Sequence, residues 1–290
     1  MTLAVRVGGA ALADARKHCA TLARENARDQ WLGALYAPPA LRDGLMALAA
    51  FDHEIRQARL RARDANLAAL RLSWWRGVVW GDREAEAAGN PTALALIAAV
   101  EEFSLPRDEL DAMLDARLDE LAPAETFDFA AFEVFADESE GARLRLAARI
   151  CGGEGRDGAQ ASVPAGLALA LTRMLASLPA KAGSAPTLFP VDLALRHGAT
   201  ARDLDARRAS DGVVAACAAA RALAREKLEQ AERGLAASPL TILPAFIPLG
   251  TVRLDLDRLE SNAAKPFDPP PPQASPLRRQ WAIWRWARRR

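Results

Sequence analysis

Apolar side chains recur along this chain at spacings of three and four, and alternating runs of β-branched residues are scarce. Between Ala40 and Ala62, Leu41, Leu45, Leu48, Phe51 and Ile55 fall on one side of a helical repeat. That segment predicts an amphipathic helix with a single core-facing stripe. The same periodicity predicts helices over Asp14–Asn26 and Asp29–Tyr36, stopped by Pro38 and Pro39, because proline has no amide to give a helix interior. Further helices are predicted over Ala65–Trp80, Pro91–Phe103, Pro106–Glu120, Phe129–Ala136, Glu138–Cys151 and Ala159–Leu178. In the last of these Pro164 marks a kink or the true start.

After the turn-rich stretch PAKAGSAPTLFP come Pro190–Arg196, Thr200–Ala206 and a long alanine-rich helix over Asp211–Ala237. SPLTILPAFIPLG predicts a short interrupted helix and Val252–Glu260 another. PFDPPPPQASP then forms a stiff polyproline-like spacer. The fold class expected is all-α: one helical domain over residues 1–265, a spacer over 266–276, and a basic, aromatic tail over 277–290 whose helix straps onto the body.

The 290 residues are 51% hydrophobic and 26% charged with a net charge of +1, which fits a globular protein and gives no reason to expect a nucleic-acid partner. Cys19, Cys151 and Cys217 form no CxxC pair and no disulfide framework, so a reducing, cytoplasmic setting is expected. No apolar run is long enough to span a bilayer, so any membrane contact is expected to be peripheral. The tail places Trp281, Trp284 and Trp286 among six arginines. On a helix Trp281 and Trp284 share a side while Trp286 points elsewhere, which suits a packed strap, contact with an anionic membrane surface, or both.

Candidate chemistry is sparse. His18, His53 and His197 have no metal-site spacing. Asp52 and Glu54 lie roughly 200° apart around a helix, poor for chelating one ion, and Asp52 is expected to pair with Arg56 at the surface. Trp74, Trp75 and Arg76 are expected to pack. Asp115 and Asp119, one turn apart, are the clearest acidic pair and the remaining candidates for a metal.

Three segments together resemble the squalene/phytoene synthase family of head-to-head prenyltransferases: LYAPPALRDGLMALAAFDHEIRQAR, LAALRLSWWRGVVWG followed by NPTALAL, and GLALALTRMLASLPAKAGSAPTLFP. The resemblance implies an isoprenoid-synthase-like helical bundle. It also implies two aspartate-rich motifs on facing helices, whose carboxylates hold Mg²⁺ against the departing diphosphate. Here the first motif falls on Arg56, Gln57, Ala58, Arg59 and Leu60, and the second on Ser177 and Lys181, with Arg173 and Ala176 before it. No carboxylate remains at these positions, so no catalytic residue and no cofactor is expected. Arg56, Arg59, Arg173 and Lys181 become candidates for a metal-free site taking phosphate or prenyl diphosphate, from an isoprenoid or a phospholipid.

AAFDHEIRQAR, FPVDLALRHGATARDL, LPAFIPLGTVRLDLDRLE and the closing tryptophan–arginine segment resemble the branch of that family that assists assembly of respiratory complex I. This implies a catalytically degenerate binding or assembly factor. Its partner would be a complex I subunit or assembly intermediate, and its place the inner face of a bacterial inner membrane. The alternative is an active squalene or phytoene synthase using Mg²⁺ held by other carboxylates.

Overall fold

Side chains at the helix ends decide where the helices begin. Asp64 accepts from the Leu67 amide (2.8 Å), Asn90 from Ala93 (3.0 Å) and Asp128 from Ala131 (2.8 Å), each satisfying an amide the helix leaves unbonded. The computed structural model describes residues 9–60, 64–121, 127–153, 158–179 and 188–290, except the side chains of Arg59 and Leu60. Among these residues every regular element is helical.

In chain order they are α1 (Gly9–Asn26), α2 (Arg28–Tyr36), α3 (Pro39–Leu60), α4 (Ala65–Trp80), α5 (Glu84–Ala88) and α6 (Pro91–Phe103). Next come α7 (Arg107–Asp119), α8 (Phe129–Ala136), a π-helical turn (Asp137–Gly141), α9 (Ala142–Ile150) and α10 (Ala159–Ser177). The remainder are α11 (Val191–Arg196), α12 (Ala201–Asp205), α13 (Asp211–Ala236), α14 (Leu243–Phe246) between two short 3₁₀ turns, α15 (Val252–Glu260) and α16 (Pro276–Ala287). The short α5 has no counterpart in the periodicity. α10 starts at Ala159, one turn before Pro164, so that proline lies inside the helix rather than at its start.

The chain divides into two compact units. The first takes the described residues of 1–118, 142–159 and 237–248. At its centre α3 packs against α1, α2, α4, α6 and α9. With neighbours on so many sides, every residue from Gly44 to His53 is buried, so this helix is covered all round over that stretch rather than striped on one side.

The second unit takes the described residues of 119–141, 160–236 and 249–290. α13 buries Val213, Ala216, Cys217, Ala220, Ala224 and Leu228 at helical spacing and packs on α11 and α15. α10 meets the π-helical turn at Gly166, where an added Cβ would lie 2.8 Å from the Gly141 backbone nitrogen. Only glycine permits that approach. The C-terminal helix α16 seats against Gly250, whose missing Cβ would stand 3.0 Å from the Ile283 Cα.

Candidate functional site

In the first unit, the helix that would carry the first aspartate-rich motif holds an internal ion cluster. Asp52 is 2% exposed. Its Oδ1 accepts from Arg56 Nε at 2.8 Å, its Oδ2 accepts from Gln30 Nε2 of α2 at 3.1 Å, and Arg143 Nε of α9 lies 3.8 Å from the same Oδ2. The expected Asp52–Arg56 pair is therefore made, but inside the unit and not on its surface, because α2 and α9 cover that side of α3. Arg143 is buried, and burial pulls its pKa down to about 10. The Asp52 carboxylate pushes it back up, and the Arg56 guanidinium adds to the lowering. It stays protonated near neutral pH, so the Asp52 carboxylate faces two guanidinium groups.

On another side of α3 a cleft of about 240 Å³ is lined by Glu54, Gln57, Ala58, Arg71, Trp74 and Asn90 among others. Trp75 also reaches it from a packed position: its ring meets Phe51 edge-on at 5.2 Å and Trp74 at 5.0 Å. Trp74 Nε1 donates to Glu86 Oε2 at 2.6 Å. Arg76 donates to Asp111 Oδ1 (2.6 Å) and also to Asp115, and Trp80 Nε1 donates to Asp111 Oδ2 (3.3 Å). Asp115, one of the two candidate metal ligands, thus has a guanidinium on it. Asp119 is exposed at the end of α7. Among the described residues no group of three or more His, Cys, Asp or Glu side chains could hold a metal ion.

In the second unit, Arg173 of α10 pairs with Glu140 of the π-helical turn, a carboxylate only 1% exposed. Nothing in the spacing of DESEG marks Glu140 as an inward group; the π turn displaces it from the α-helical register, and such turns recur at functional positions. Ser177 Oγ donates to the Met174 carbonyl at 2.7 Å, a bond local to its own helix. Lys181 lies outside the described residues, as does the side chain of Arg59. Arg56 and Arg173 therefore each face a buried carboxylate within their own unit.

The C-terminal helix separates its tryptophans. Trp286 is buried and donates from Nε1 to Glu232 Oε1 at 2.9 Å, whereas Trp281 and Trp284 are exposed. No helix among the described residues is long and apolar enough to cross a membrane.

The squalene/phytoene synthase family model matches residues 23–285. The chain belongs to the squalene/phytoene synthase family. The chain is 23% identical over 260 residues to NADH dehydrogenase (ubiquinone) complex I, assembly factor 6 of Rattus norvegicus, covering 90% of this chain and 77% of that protein. The Homo sapiens protein of the same name is 24% identical over 251 residues, covering 87% and 74%. Among solved structures, a dehydrosqualene synthase superposes with a TM-score of 0.81 at 15% identity, covering 96% of this chain and 97% of that one. Squalene synthase HpnC from Alicyclobacillus acidocaldarius gives a TM-score of 0.72 at 20% identity, covering 92% and 99%. At these identities the structural likeness establishes the all-α isoprenoid synthase fold alone.

Proposed function

We propose that this chain is a catalytically degenerate squalene/phytoene synthase family member that serves as a binding or assembly factor for respiratory complex I, on the cytoplasmic face of a bacterial inner membrane. The observation that supports this best is the charge at the first motif. Where a prenyl-transferring relative would gather magnesium, Arg56 leans on Asp52 and Arg143 stands behind it. A divalent cation brought to Asp52 would meet two guanidinium groups already there, and such like-charge juxtaposition is unfavourable in a buried setting. The similarity to proteins named complex I assembly factor 6 supports the same reading.

Arg56 and Arg173 act here as internal counter-ions. Phosphate at Arg56 would have to compete with Asp52, and phosphate at Arg173 with Glu140, so a prenyl diphosphate or phospholipid head is a secondary ligand on this reading. A strain deleted for the gene tests the assembly role. Loss of assembled NADH-oxidising complex with unchanged squalene and carotenoid content supports it. Normal complex with missing isoprenoid product refutes it and favours the active synthase.

A further inference from the structure

A helix held to the body by one face presents the other to its surroundings, and α16 does so with a sharp division. Its inner face is fixed at Arg279, Ile283 and Trp286. Arg279 forks onto both oxygens of Asp255 at 2.7 and 3.0 Å, and Trp286 bonds Glu232. On the opposite side, at successive spacings of four, three and four, stand Leu277, Trp281, Trp284 and Arg288. Leu277 is 76% exposed, Trp281 55% and Trp284 46%. Each outer indole is covered on one face by a guanidinium: Arg285 lies 4.5 Å from the Trp281 ring centre and Arg288 lies 4.8 Å from that of Trp284. Arg278 and Arg289 are also exposed, and no Asp or Glu occurs from Pro269 to Arg290.

We propose that this outer face of α16 is a docking surface for an anionic lipid bilayer. Two large amphipathic rings and a leucine on one stripe suit the depth of the headgroup region, and arginines beside them meet the lipid phosphates. The inner face is already satisfied by Asp255 and Glu232, so the helix need not leave the body to bind. Single-stranded nucleic acid also takes stacked rings and arginine. It needs a basic track several nucleotides long, however, whereas this chain carries a net charge of only +1. The proposal stands without the complex I reading, and the two fail separately.

The test is co-sedimentation of the full chain with vesicles of phosphatidylcholine alone and of equimolar phosphatidylcholine and phosphatidylglycerol, with tryptophan emission recorded. The expected result is binding to the mixed vesicles only, weakened by salt, with a blue shift of the emission. W281A/W284A should melt like the parent and lose the binding and the shift. R285Q/R288Q should bind about twenty-five-fold more weakly, about fivefold for each arginine. The proposal is overturned by equal binding to both vesicle types, by unchanged binding of W281A/W284A, or by binding of a single-stranded oligonucleotide without binding of vesicles.

Discussion

Arg56 Nε donates to Asp52 Oδ1 at 2.8 Å, one turn apart on α3, with the Arg143 guanidinium 3.8 Å from the other carboxylate oxygen. A surface pair of this spacing contributes little. Here all three groups lie in or near the core, and the one carboxylate faces both guanidinium groups. D52N keeps the shape of the side chain and removes its charge, leaving two guanidinium groups facing a neutral amide. The expected cost is about 3–5 kcal/mol, read as a fall in the urea midpoint at unchanged slope.

The strap and the outer face of α16 should separate cleanly in stability. Trp286 is buried against Gly250 and bonded to Glu232, so W286A is expected to cost about 3 kcal/mol. W281A removes an exposed ring and should change stability by no more than about 0.5 kcal/mol. Thermal melts of the two variants beside the parent check this.

Gly166 is a packing requirement. Its Cβ would fall 2.8 Å from the Gly141 nitrogen and 3.1 Å from the Ala136 carbonyl oxygen, both backbone atoms that cannot rotate aside. G166A should lose about 1–3 kcal/mol, although alanine is the better helix former. A variant as stable as the parent would show that α10 and the π-helical turn do not approach so closely.

Burial pushes the Cys19 and Cys151 thiols up to about 12 and the Cys217 thiol up to about 11, from an ordinary value of 9.0. The native state then keeps three protons that the unfolded chain releases above pH 9.0. These groups contribute stability that is complete below that pH and declines as pH rises towards 11–12. Arg143, lowered to about 10, acts in the opposite sense above that pH, but it is one group against three. The melting temperature is expected to fall from about pH 9 upward. At neutral pH a thiol reagent should titrate the three cysteines only after denaturant is added.

Much of the helical frame was legible. Asp64, Asn90 and Asp128 precede apolar periodic runs and cap α4, α6 and α8 where the pattern places those starts. The division of the tail tryptophans also followed from angular position on one helix, a purely local property. The ion clusters did not. Asp52 is buried because α2 and α9 bring Gln30 and Arg143 to it, and Arg173 finds its carboxylate 33 residues earlier in the chain. Periodicity along one helix carries no information about what another helix delivers to its face. The aligned motif positions told where to look, but whether Arg56 and Arg173 point at ligand or at carboxylate depended on that delivery.

The central claim is that the motif positions, with cations where carboxylates would be, cannot anchor the metals that draw off diphosphate. Its most direct test is pyrophosphate release by the purified chain supplied with farnesyl diphosphate and Mg²⁺. The account predicts no release above the protein-free control. Sustained release at a turnover of about 1 per second or more would contradict it.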